Sequence, residues 1–323
     1  MSIASILSFT VIKFCKELGG FLNKSNIFVE VKPSIIMRNL KSFAVASLSI
    51  VLLSSCGGGE TQAEDKGITD SVAQVAKDTT PVTVDDVAKF KFDFALANIP
   101  SPAASIDELS KWGIDYDQSL MNDPKKGKNY SSEFSKAVNL GIYNIDMCYA
   151  IVNERGEDVL KYMKTVLITS DALGLKGAVD QMIGKRAEKN LASKDSLLQI
   201  LDEILIKSDS YLRTNERLYT ASTVFSGGWL ESLYLACKIT DKATDEAVKA
   251  KGRKHLWDQR FHLGNLVTVM DDHKDKKEAQ DMNSEFRAIH KEINNVKKPE
   301  DMTAAKFKSI SEKIYALRTK LTM

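Results

Sequence analysis

Phe286-Arg287-Ala288-Ile289-His290-Lys291-Glu292-Ile293-Asn294-Asn295-Val296 decides the fold class of this chain. Phe286, Ile289, Ile293 and Val296 step by three, four and three, which lays them along one side of a helix. Lys297-Lys298-Pro299 then interrupts, because proline offers no N–H and restricts its predecessor. Phe307, Ile310, Ile314, Leu317 and Leu321 resume the pattern with steps of three, four, three and four. Both seams are narrow, as in a coiled coil, and only a short polar loop separates them. Two such helices bury their seams by folding back on each other, which predicts an antiparallel helical hairpin.

Working outward, the chain reads as helix after helix. Phe134, Val138, Gly141, Ile145, Cys148 and Val152 share one helical face. After Gly156 as a turn, Val159, Leu160, Met163, Val166 and Leu167 form another, and Val179, Met182, Ile183 and Ala187 a weaker third. Leu197, Leu198, Leu201, Ile204, Leu205, Ser208 and Leu212 continue the series. Leu218, Phe225, Trp229, Ser232, Ala236 and Ile239 follow, then Leu256, Leu263, Leu266, Val267 and Met270. Ser105 and Glu108 have the spacing of a capping box before Leu109 and Trp112. Residues 85–102 are a lead-in that is either extended or a short helix. The alternation Phe90-Lys91-Phe92-Asp93-Phe94-Ala95-Leu96 suggests a strand, whereas a start near Asp85 suggests a helix. No period of ~34 residues is present, so a repeat array is set aside. The expected fold is all-α: a helical bundle of about eight to ten helices over residues 103–323, ending in the hairpin, after a disordered tether.

The N-terminal part has a different character. Met37-Arg38-Asn39-Leu40-Lys41 is a basic head, and Ser42 to Ser55 is an uncharged run that ends at Cys56. Basic head, short apolar core and small residues before a cleavage point make a secretory signal. The core is shorter than the roughly 20 residues of a spanning helix. Leu53-Ser54-Ser55-Cys56 resembles the lipobox of bacterial lipoproteins. That resemblance implies a diacylglyceryl group on the Cys56 sulfur, cleavage between Ser55 and Cys56, and acylation of the new amine. Residues 37–55 are then the lipoprotein signal peptide, and 56–84 a lipidated flexible tether, rich in Gly, Thr and acids, with little to fold around. Residues 1–36 make the signal too long if translation begins at Met1. They are read as an upstream extension assigned in error, with Met37 as the start, the alternative being a genuine extension.

Charge supports no nucleic-acid reading. The whole chain carries +2, but the first 55 residues hold six Lys/Arg against two acids, so the remaining 268 residues lie near −2. Cys148 and Cys237 both fall in apolar helical patterns. Buried free thiols are favoured over a disulfide, which an oxidising compartment would allow.

Few groups suggest chemistry. Gly227 and Gly228 adjoin Trp229 and Glu231 inside a helical pattern, where each glycine costs about 1 kcal/mol relative to alanine. A ligand pocket using Gly227, Gly228, Trp229 and Glu231 would justify that cost. So would a neighbouring helix packed against Gly228 and Ser232. His255, His262 and Gln259 can share a face, but no His-Glu-x-x-His or Glu-x-x-His pattern occurs, so the histidines are read as solvated and no metal site is assigned. Asp115-Tyr116-Asp117 begins like a calcium loop, but Leu120 stands where glycine is needed and Lys126 where the bidentate glutamate belongs. No catalytic residue is assigned and no cofactor is expected beyond the lipid on Cys56.

Phe94-Ala95-Leu96-Ala97-Asn98-Ile99-Pro100-Ser101-Pro102, Ala137-Val138-Asn139-Leu140-Gly141-Ile142-Tyr143 and Gly227 to Tyr234 resemble a set of uncharacterised all-helical lipoproteins of bacterial envelopes. The resemblance spans most of residues 94–240 and implies no activity. The sequence therefore points to an outer-membrane lipoprotein, periplasmic or surface-facing, with a non-enzymatic binding or scaffolding domain. Its partners are the membrane, through the anchor, and another envelope protein; no nucleic acid is expected. The alternatives are a small-molecule receptor with a pocket near Gly227–Glu231, and an envelope hydrolase or metal enzyme using His255 or His262.

Overall fold

In the computed structural model, described over residues 84–98, 100, 102–176, 179 and 181–323, ten α-helices and four short 3-10 helices occur among the described residues, and no strand. The expected signal peptide, Ser55, Cys56, the expected tether up to residue 83 and the stretch before Met37 lie outside the described residues. The α-helices are α1 (Val84–Ala97), α2 (Pro102–Ser110), α3 (Glu133–Val152), α4 (Gly156–Ala172) and α5 (Gln181–Lys189). They continue with α6 (Lys194–Thr214), α7 (Leu218–Lys242), α8 (Glu246–Met270), α9 (Lys277–Asn294) and α10 (Ala304–Leu321).

Two helices form the centre. α3 is buried at 17 of its 20 positions, from Phe134 to Val152, so it has no solvent face. Such all-round burial is the fate of a helix that is apolar on every side. Its closest partner is α7, and α2, α4 and α6 pack around α3 while α8 and α10 cover α7. α9 and α10 form the antiparallel hairpin. Asp281 near the start of α9 lies beside Lys320 at the end of α10, and Glu292 pairs with Lys313. Phe286, Ile289, Ile293, Phe307, Ile310, Ile314 and Leu317 are all buried along its seam.

The lead-in is helical. α1 turns Phe92 and Ala95 inward, and Phe92 meets Phe225 edge-on at 6.3 Å. Aromatic residues two apart lie on nearly opposite sides of a helix, so the same alternation leaves Phe90 and Phe94 outside. Ser105 does not cap: α2 begins three residues earlier, with Pro102 at its first position, where the missing N–H costs nothing.

Two turns share one sequence. Tyr149-x-x-x-Asn153-Glu154-Arg155 ends α3, and Tyr211-x-x-x-Asn215-Glu216-Arg217 ends α6. In each, the Asn side chain donates to the Tyr carbonyl, at 2.8 and 2.7 Å, and the Glu takes φ of +57°. The following Arg N–H reaches back to Ala150 O and Leu212 O, at 2.9 and 2.8 Å, which closes a Schellman turn. Glycine normally holds that left-handed position, and it does so at Gly174 after α4. The turn before α4 is therefore made by Glu154, with Gly156 already inside the helix.

Candidate functional site

The double glycine lies mid-way along α7, where α7 crosses α3. A Cβ on Gly227 would overlap the Val138 carbonyl and sit 2.8 Å from its carbon. A Cβ on Gly141 would in turn meet the Gly228 nitrogen at 2.6 Å and the Val224 carbonyl. Gly141 and Gly227 thus let two backbones touch. Gly228, where the sequence suggested the contact, faces only ordinary neighbours, Gly141 O at 3.5 Å and Ile145 Cγ1 at 3.6 Å. Helix packing, not a ligand, fills the space beside Gly227.

The four candidate pocket residues do not meet in one cavity. Gly228 and Trp229 border a space of about 50 Å³ together with Ser232, His255 and Gln259. That volume suits one or two waters. Trp229 Nε1 donates to Gln259 Oε1 at 3.1 Å, and the indole meets Phe286 edge-on at 5.6 Å. Gly227 faces α3. Glu231 is wholly buried and belongs to another constellation.

That constellation is the chemical centre of the bundle. Arg318 of α10 grips Glu231 of α7 with two bonds, Nε to Oε2 at 2.9 Å and Nη2 to Oε1 at 2.8 Å. The guanidinium also stands 4.6 Å from the Tyr234 ring centre. Asp146 of α3 completes the group: it is fully buried, its Oδ2 accepts from the Asn122 N–H at 3.0 Å, and the Glu231 carboxyl lies beside it. Burial, and then the Glu231 charge, hold Asp146 well above the usual carboxylate range, with Arg318 opposing. Asp146 Oδ1 receives no donor. The raised Asp146 carboxyl leaves Arg318 chiefly matched to Glu231 in this buried group.

Around it runs a polar layer. Asn122 donates to Tyr130 Oη at 3.0 Å and Asn139 Oδ1 at 3.2 Å, Tyr162 donates to Asn122 O at 2.8 Å, and Tyr143 to Asp123 O at 2.9 Å. The segment that begins like a calcium loop therefore plugs the bundle between α3, α4 and α10. Lys126 donates to Thr322 O at 2.9 Å. Sequence reasoning missed Asp146 and Arg318. The available signal was a lone acid within the apolar run Leu140 to Val152.

The histidines are less solvated than their sequence suggests. His255 is largely enclosed, edge-on to Trp112 at 5.8 Å, and burial lowers its pKa to about 4. His273 is buried, 3.1 Å from Ser222 Oγ and edge-on to Tyr219. Burial also lowers His262 and His290. Among the described residues, no group of three or more His, Cys, Asp or Glu is placed to hold a metal ion. Cys148 and Cys237 are free and buried, and burial raises both thiols. No described helix is long and apolar enough to cross a membrane. No family model, curated protein or solved structure matches the chain.

Proposed function

We propose that this chain is a bacterial envelope lipoprotein of the outer membrane, periplasmic or surface-facing. Diacylglyceryl and N-acyl chains on Cys56 anchor it, and its helical domain is a non-enzymatic binding or scaffolding module for another envelope protein. The observation that carries the reading is Leu53-Ser54-Ser55-Cys56 at the end of a basic-headed apolar run too short to span a bilayer. Two or three acyl chains on one cysteine give lasting attachment, where a single chain gives only marginal binding. The resemblance of residues 94–240 to helical envelope lipoproteins agrees with it. The sealing of the strongest ionisable cluster, Asp146–Glu231–Arg318, away from any substrate favours a scaffold over a catalyst.

Radiolabelled palmitate fed to cells tests the anchor. Label in the wild-type chain and none in Cys56→Ala is the expected result. An unlabelled wild-type chain, or a mature N-terminus upstream of Cys56, refutes it. Crosslinking in intact cells tests the scaffold role, which predicts recovery of an envelope protein.

A further inference from the structure

Six large apolar side chains are exposed among the described residues, and three of them, Val87, Phe90 and Phe94, lie on α1. At about 100° per residue these three fall within roughly 60° of one another, opposite Phe92, which with the flanking Ala95 docks α1 on the bundle. Phe90 and Phe94 are 69% and 53% exposed and stack on each other with ring centres 6.5 Å apart. Two charges of α1, Lys91 and Asp93, are paired with Asp272 and Arg213 of the bundle. The result is an apolar ridge on a firmly seated helix.

The geometry points to the bilayer that holds the anchor as the occupant of this ridge. The inference rests on lipid at Cys56, as proposed above. α1 starts 28 residues after that cysteine. Whatever their conformation, 28 residues reach no farther than about 100 Å, so an anchored α1 never lies farther than that from the membrane. Under that constraint even weak insertion becomes an intramolecular event. Area argues against a protein partner at this face. Two phenylalanines and a valine at these exposures offer on the order of 300 Å², below the roughly 450 Å² that is the apolar share of one side of a stable complex. Interfacial insertion of a helix face has no such threshold, since it draws on aromatic rings entering the headgroup boundary.

The test uses the lipidated protein extracted from cells and reconstituted into vesicles of phosphatidylethanolamine and phosphatidylglycerol. Cys148 and Cys237 are buried and Cys56 is alkylated, so a cysteine at Phe90→Cys or Phe94→Cys takes a polarity-sensitive dye selectively. Lys308→Cys, on an exposed lysine of α10, is the control. The expected result is a blue-shifted emission at 90 and 94 that spin-labelled lipids quench, with neither effect at 308. Absence of quenching at 90 and 94 in palmitate-labelled protein overturns the inference and leaves the anchor standing. A blue shift without lipid quenching also overturns it, because protein then covers the ridge, whether a second copy or the residues before α1. Equal quenching at 308 overturns it as unspecific, and a chain lacking palmitate overturns both readings.

Discussion

Neighbouring glycines in α7 should respond to the same substitution with opposite sign. Gly227→Ala places a methyl 2.8 Å from the Val138 carbonyl carbon and closer still to its oxygen, where ordinary contact begins at 3.4 Å. The helices must separate by at least about 0.6 Å, and α3, buried at 17 of 20 positions, cannot shift without disturbing every helix around it. Overpacking of this kind costs about 1–3 kcal/mol, and a backbone obstacle puts it at the upper end or beyond. The helix-propensity gain of about 1 kcal/mol only partly offsets that. The net is a loss of roughly 2 kcal/mol, or a fall of about 4–8 °C in Tm for a domain of this size. Gly228→Ala meets only Gly141 O at 3.5 Å and Ile145 Cγ1 at 3.6 Å. It keeps the propensity gain, so Tm should rise by about 2–4 °C. Thermal melts followed by far-ultraviolet circular dichroism, with urea titrations beside them, read both variants. Gly141→Ala belongs to the same crossing and should combine non-additively with Gly227→Ala. Equal destabilisation by Gly227→Ala and Gly228→Ala, or none by Gly227→Ala, would refute a backbone contact at Gly227.

Three further outcomes follow from buried groups and turns. Asp146 has a folded pKa above its unfolded value, so its contribution is fully present below about pH 4 and is lost as pH rises. Asp146→Asn keeps a donor to Glu231 and cannot ionise, so urea midpoints should show it at least as stable as wild type at pH 7.5, whereas Glu231→Gln, which strands Arg318, should cost about 3–5 kcal/mol; a large loss in Asp146→Asn would mean that Asp146 is charged. His255, lowered from 6.5 to about 4 by burial, works in the opposite sense: the unfolded chain takes up a proton first, so stability falls as pH drops from about 6.5 to 4, by roughly 3 kcal/mol, and His255→Gln should flatten that part of the profile. Glu154→Gly and Glu216→Gly relieve the left-handed backbone at φ +57° and should each raise stability by about 1 kcal/mol; a loss by calorimetry would refute strain at these turns.

The helical class was legible where burial is one-sided. In α9 and α10 only a seam is covered, so the three–four spacing of Phe286 to Val296 and Phe307 to Leu321 stands out against charged neighbours. α3 gave a weaker signal. A helix buried on all sides has no polar face to set a phase, and a single stripe from Phe134 to Val152 understates what is covered. α1 was ambiguous because its aromatic residues alternate. Spacing alone does not reveal that two of three phenylalanines will be left outside. The glycine crossing was placed one residue off, at Gly228 rather than Gly227, because the register between α3 and α7 is set by Gly141, 86 positions earlier, which no local pattern reports. The Asp146–Glu231–Arg318 group was illegible for the same reason: its members come from three helices and meet only in the folded bundle.

Arg318 shows why the hairpin seam and the charged centre should be read together. It sits beside Leu317 in α10, grips Glu231 with two bonds and acts electrostatically on Asp146. Apolar seams tolerate sliding, since a shift of one turn replaces one leucine or isoleucine with another. A bidentate guanidinium buried against Glu231 does not, because any other register leaves a bare charge inside the bundle at a cost of several kcal/mol. The group therefore acts as a lock that fixes α10 on α7, and through Asp146 fixes both to α3. A domain whose centre is locked in this way presents its outer faces rigidly. Rigid outer faces are what the proposed scaffold role requires.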